Sequence, residues 1–230
     1  PMLDKMWGGG LEVPEEVGTW RSPNISQDKK TGIGSWTDQQ IIDAVREGKR
    51  PDGTTLYPIM PYPFYNRMSD ADAKALVAYM RTVPPVDNAV AGNDLKIGKP
   101  PVPPATGAEA PADKRGEYLT SLMHCGACHT QMTEQGPDMS KWMAGGMKFE
   151  MPMFGEGALY SSNLTPHPTT GIGGWTDAEV IASMKEMKRK DGSPIMGPMQ
   201  MYLMGWSKIS DADMSAIVGY LRALPPIDNA

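Results

Sequence analysis

Both cysteines of this chain fall in one pentapeptide, Cys125-Gly126-Ala127-Cys128-His129. Two thiols three residues apart, followed at once by an imidazole, have the pattern of a covalent c-type haem attachment site. Cys125 and Cys128 would become thioethers on the haem vinyl groups, and His129 would bind the iron from one side. A Cys-x-x-Cys pair also serves thiol–disulfide exchange, but that chemistry needs a βαβ setting. No such setting is legible here, and it would leave His129 without a task. A low-spin iron needs a second axial ligand, expected from far along the chain so that folding closes a pocket over the ring.

The elements that must position these groups are organised as a repeat. Asn24 to Gly53 matches Asn163 to Gly192 without a gap at an offset of 139. The shared core is Thr31-Gly32-Ile33-Gly34-x-Trp36-Thr37-Asp38 against Thr170-Gly171-Ile172-Gly173-x-Trp175-Thr176-Asp177. After a two-residue insertion the offset becomes 141, pairing Ser69-Asp70 with Ser210-Asp211 and Pro84-Pro85 with Pro225-Pro226. The expected organisation is therefore a domain over 1–89, a Pro/Gly/Ala-rich linker over 90–112 and a second domain over 113–230. The linker contains Pro100-Pro101-Val102-Pro103-Pro104, a composition that favours an extended, semi-stiff segment.

Local signals are helical. Thr37 and Thr176 each precede an amphipathic run, Ile41, Ile42 and Val45 in one copy and Val180, Ile181 and Met184 in the other. Ser69 and Ser210 open further helices carrying Leu76, Val77 and Met80, or Ile217, Val218 and Leu221. The Pro-Pro pairs stop them. Another helix, 114–123, leads into the pentapeptide. No stretch alternates as a strand, so the expected class is all-α with long loops.

Composition agrees with compact domains around a bulky group. Gly (25), Pro (22) and Met (19) are plentiful, and Met is an adaptable pocket lining. The net charge of −5 argues against nucleic-acid binding, which wants a basic face. No apolar run approaches the ~18–20 residues that span a bilayer. The charged stretches 46–50 and 185–190 read as solvated helix ends.

Together these motifs resemble the class I c-type cytochromes, and more closely the multi-haem cytochrome c subunits of periplasmic alcohol, sugar-acid and aldehyde dehydrogenases. The residues that carry the resemblance are Cys125 to His129, Gly136-Pro137, the two Thr-Gly-Ile-Gly-x-Trp-Thr-Asp segments, Tyr57-Pro58-Ile59-Met60-Pro61-Tyr62, and the Tyr79-Met80-Arg81 and Tyr220-Leu221-Arg222 helices. The resemblance implies a tandem pair of class I cytochrome c domains, and a distal Met in a Pro-x-Met-Pro or Pro-Met loop. That ligand is Met60 in the first copy. In the second, the Pro-Met step favours Met199, counting back from Ser210 favours Met201, and Met196 ranks third. Pro137 is the expected carbonyl acceptor for the His129 Nδ1 proton. Trp175 is either a donor to a haem propionate or a core anchor. His167, whose counterpart is Asp28, reads as a surface loop residue, and His124 as structural.

By the alignment Pro1 falls where Pro137 falls, eight residues after His129. The first copy thus has a distal loop with Met60 but no attachment motif in this sequence. The expectation is a dihaem protein whose first motif precedes Pro1; the competing account is a copy that has lost its haem. The function implied is that of a periplasmic electron carrier, passing electrons from a dehydrogenase or another respiratory or photosynthetic donor to an oxidase or membrane complex. Side chains need do no substrate chemistry, and membrane association would come through a partner. The alternative class is a haem enzyme such as a dihaem peroxidase or thiosulfate dehydrogenase, in which one iron has an open position.

Overall fold

The computed structural model of the chain describes residues 6–15, 17–133, 136–150 and 157–229. Pro1, which the repeat alignment uses, lies outside them. The chain divides into two compact units, Pro1–Glu109 and Ala110–Ala230.

The first unit opens with an antiparallel ribbon, β1 (Glu12–Glu15) and β2 (Gly18–Arg21), paired from Glu12↔Arg21 to Glu15↔Gly18. Helix α1 (Asp38–Glu47) starts on a capping box: the Thr37 side chain accepts from the Gln40 amide while Gln40 accepts from Thr37 N–H. Such caps are worth ~1 kcal/mol. A single turn, α2 (Tyr62–Tyr65), precedes α3 (Asp70–Met80), which Ser69 caps. The apolar positions spaced along these helices meet in a core of Ile33, Ile41, Ile42, Val45, Ala73, Val77 and Met80.

The Pro-rich segment is extended, yet it is strapped to this unit. Leu95 is buried, Tyr62 Oη donates to the Pro100 carbonyl, Asn66 to that of Pro103, and Glu47 accepts the Ala105 N–H. Proline removes N–H donors but leaves carbonyls, and here the carbonyls supply the attachment points.

In the second unit, α4 (Arg115–Leu122) runs into the short α5 (Cys125–His129). Two ladders, each two residues deep, follow: β3 (Met132–Thr133) with β4 (Gly136–Pro137), and β5 (Lys148–Phe149) with β6 (Leu159–Tyr160). Two residues cannot display an alternating pattern, so these strands leave no periodic signal. The fold is mostly helical rather than free of strand. Helix α6 (Asp177–Lys185) repeats the capping box with Thr176 and Glu179. A 3-10 turn, Pro198–Tyr202, leads through α7 (Leu203–Trp206) to the Ser210-capped α8 (Asp211–Arg222).

The core of this unit gathers Ile172, Val180, Met184, Met187, Trp206, Met214, Ile217, Val218 and Leu221. Helix α4 crosses α8 at Gly116, where a Cβ would stand 2.0 Å from the Ala216 carbonyl oxygen. Only glycine permits that approach. Arg115 pairs with Asp213 across the same crossing at 2.9 Å.

The two units share their ties as well as their sequence. Arg81 and Arg222, each just beyond or ending the last helix, donate to the Trp36 and Trp175 carbonyls and pair with Asp38 and Asp177. Asn24 donates to Val86 O and Asn163 to Ile227 O, both at 2.7 Å. Arg46–Asp70 and Lys185–Asp211 are matching ion pairs.

Candidate haem site

The attachment helix is set by the turn before it. His124 caps α5 in the left-handed region (φ 43°, ψ 36°), which reverses the chain after α4. Within α5, Cys125 and Cys128 are three residues apart and so share a helix face; both thiols are unbridged. Gly126 lies under Trp142, whose ring a Cβ would meet at 2.1 Å, so the indole roofs the helix on the side away from the thiols.

His129 is 7% exposed. Its Nδ1 stands 2.7 Å from the Ser162 carbonyl oxygen. A carbonyl only accepts, so Nδ1 carries the proton and Nε2 keeps its lone pair for a metal. Burial lowers the imidazole pKa, and the Ser162 bond opposes that shift; the neutral ring is the form able to ligate. The backbone fixes the arrangement further: Gly145 N–H donates to the His129 carbonyl at 2.7 Å, and Asn229 Nδ2 donates to Ala144 O at 3.0 Å.

This corrects the expectation for Pro137. That residue is exposed in the β3–β4 ribbon opposite Met132, and Ser162 supplies the carbonyl instead. A backbone acceptor carries no residue-type signal, although Ser162 does precede Asn163, the counterpart of Asn24.

Cys125, Cys128, His129 and Met199 line one cavity of ≈ 340 Å³, together with Trp175, Ile172, Val180, Met184, Ile195 and Leu221. The walls are largely apolar. Burial pushes the Cys125 thiol up to about 12 and raises Cys128 as well. A dithiol redox centre needs the opposite, a depressed thiolate pKa. Two thiols, an imidazole with a free Nε2 and a thioether around an apolar hollow fit covalent haem with axial nitrogen and sulfur ligands. Among the described residues, no cluster of three or more His, Cys, Asp or Glu side chains forms a site for a bare metal ion.

Comparison with known proteins agrees with this geometry. Residues 114–225 match the cytochrome c family. A dihaem c-type cytochrome of Cereibacter sphaeroides is 31% identical over 96% of this chain and 76% of its own length. The chain belongs to the cytochrome c family. Two other relatives are the cytochrome c subunit of a quinone alcohol dehydrogenase from Gluconacetobacter polyoxogenes and the cytochrome subunit of a fructose dehydrogenase from Gluconobacter japonicus. Each is 35% identical, over 96% and 94% of this chain respectively. The chain spans about half the length of these two relatives, 51% and 47%.

The remaining candidates of this cytochrome c separate by position. Met201 is 59% exposed and Met196 49%; neither lines the cavity, whereas Met199 does. Trp175 lines it and also packs on the core. His167 lies off the cavity, its Nδ1 accepting from Thr170 N–H at 3.2 Å. That is the role Asp28 plays for Thr31 in the first unit, where these bonds lower the Asp28 pKa. His124 borders the cavity, with its ring in a T-shaped pair with Tyr202.

Arg189 is the residue the sequence reading missed. Among the described residues it is the only Arg, Lys, Asp or Glu lining the cavity. Its signal was hidden inside a run of basic residues. The alignment held a clue, since Arg50 stands at the matching position.

In the first unit Met60 is half-buried, in a turn closed by Met60 N–H to Tyr57 O and Tyr62 N–H to Met60 O. A Cβ on Gly9 would meet the Pro23 carbonyl at 2.5 Å, as one on Gly145 would meet that of Ser162. Pro23 therefore stands where Ser162 stands in the second unit.

Proposed function

We propose that this chain is the tandem-domain core of a dihaem electron carrier, with units corresponding to 1–89 and 113–230 joined through 90–112. The observation that carries the reading is the convergence of Cys125, Cys128, His129 Nε2 and Met199 on one apolar hollow. Haem c, when attached, supplies a one-electron iron couple. The protein's residues then set its terms. Ser162 holds His129 in the ligating tautomer and orientation. The Met199 thioether, a weak ligand for oxidised iron, favours the reduced state. Apolar walls exclude water, and Arg189 offers a cation to the haem carboxylates, with Trp175 a second donor.

The first unit is assigned a second haem with Met60 as its distal ligand and the Pro23 carbonyl as acceptor for a proximal imidazole. Support comes from the repeat, its shared ties and the dihaem relative. The names of the other relatives, cytochrome subunits of an alcohol and a fructose dehydrogenase, support a dehydrogenase as electron donor; a downstream oxidase or membrane complex as acceptor and a periplasmic location complete the proposal. Among the described residues no helix is long and apolar enough to cross a membrane.

A redox-titrated visible and near-infrared spectrum of the full-length protein, with a pyridine haemochrome count per polypeptide, tests the whole reading. Two haems, two Nernst waves and a Met–Fe(III) band are expected. One haem per polypeptide would remove the second site. A high-spin ferric haem in the resting protein, converted rapidly by cyanide to a low-spin complex at neutral pH, would replace the carrier with a haem enzyme.

A further inference from the structure

The stretch that carries Met199 is held by apolar contacts. From Met196 to Met204 it holds no charged residue, and Met201 and Met204 are exposed. Its internal bonds, Gln200 N–H to Gly197 O and Ser207 N–H to Leu203 O, keep it turned but do not attach it to the rest of the unit. Apolar contacts do: Met199 packs on the core, Gly197 lies against Leu159, and Trp206 is buried in the core. Tyr202, three residues beyond Met199, stacks on Trp206 (5.8 Å, 27°) and meets the His124 ring in a T-shaped pair (5.8 Å, 72°). All three rings line the cavity.

His124 immediately precedes Cys125 and is held in a backbone region that most side chains avoid. That turn sets the direction in which its Cα–Cβ bond leaves the start of the attachment helix. We propose that His124 is a positioning residue that clamps the distal Met199 segment to the attachment helix through the face-to-edge contact with Tyr202. The ring neither binds iron nor exchanges protons in this role. It ties the proximal and distal sides together, so that Met199 stays seated when the iron changes oxidation state. An aromatic, desolvated partner is required, and the lowering of the His124 pKa by burial is consistent with a neutral ring there.

The inference rests on Met199 as the axial thioether. The test uses full-length, haem-loaded protein and the rate at which cyanide displaces the thioether from ferric iron, followed by loss of the Met–Fe(III) band. Cyanide enters only when Met199 has left, so the rate reads the population of the detached segment. An edge-to-face pair of this kind corresponds to a roughly two- to tenfold change. His124→Ala and Tyr202→Ala should each raise the rate by that factor, and the double variant by no more than the larger single effect. His124→Phe should restore the wild-type rate, which a merely destabilised fold would not. If His124→Ala blocks haem attachment, Tyr202→Ala against Tyr202→Phe reads the same contact from the other side. Unchanged displacement in the alanine variants, or a faster rate in His124→Phe equal to that of His124→Ala, overturns the clamp. A wild-type protein with no Met–Fe(III) band would overturn the Met199 ligand itself.

Discussion

Glycine-to-alanine substitution should have opposite signs at two positions of the same helix pair. At Gly116 on α4, the new methyl carbon would lie 2.0 Å from the Ala216 carbonyl oxygen, 2.7 Å from its carbon and 2.9 Å from Tyr220 Cβ. Two of these obstacles are backbone, which no rotamer change relieves. The helices must separate by roughly 1 Å or more to regain normal contact, an overpacking that costs about 1–3 kcal/mol. Better helix propensity returns at most ~1 kcal/mol, leaving a net loss of about 1–2 kcal/mol. For a unit of this size that corresponds to a fall in Tm of roughly 5–10 °C. Gly219 on α8 is the matched control, with nothing within 4 Å of its would-be Cβ. There the same substitution relieves the unfolded chain of glycine's freedom and should stabilise by ~0.5–1 kcal/mol. Calorimetric unfolding of the haem-loaded protein, in which only the transition of this unit should move, is the assay. A Gly116→Ala protein as stable as Gly219→Ala would refute the close-crossing argument.

Two further outcomes follow from the site and its supports. Met199→Ala should abolish the Met–Fe(III) band and admit cyanide at once, whereas Met201→Ala and Met196→Ala, both at exposed positions, should keep the spectrum and change stability by under ~0.5 kcal/mol; loss of the band in Met201→Ala would move the ligand. The Arg115 guanidinium beside Asp213 holds its carboxyl below the usual range, so the folded pKa lies under the unfolded value of ~3.9. The pair's contribution is present at neutral pH and is lost as pH falls through the folded pKa. Both side chains are partly exposed, so it amounts to under ~1 kcal/mol. In urea unfolding Asp213→Asn should be less stable than wild type at pH 7, and the two should converge as pH falls through the folded pKa of Asp213.

Much of this arrangement is legible in residue types. Thr37, Thr176, Ser69 and Ser210 mark helix starts because a side-chain oxygen satisfies an orphan amide, and the apolar spacings after them reach the core. Cys125, Cys128 and His129 are read from chemistry alone. What stays hidden is backbone and context. The Ser162 carbonyl is a main-chain atom, so residue type pointed to Pro137 instead. Arg189 looks like its basic neighbours until the fold aims it at the cavity. The strap from Leu95 to Ala105 works through proline carbonyls, which composition reads only as stiffness. Counting residues leaves Met199 and Met201 level, and only placement on the turn at Pro198–Tyr202 separates them.

The matching arginine ties have a consequence for how the chain assembles. Arg81 and Arg222 make the same bonds to the same kind of turn, so each closing helix carries a key that fits either lock. Duplicated units with interchangeable ties are prone to mispairing during refolding. The bonds that differ between copies supply proofreading: Arg81 also donates to Gln27 Oε1, while α8 is claimed by Arg115 through Asp213. Fidelity in this chain thus depends on the few places where the two copies disagree.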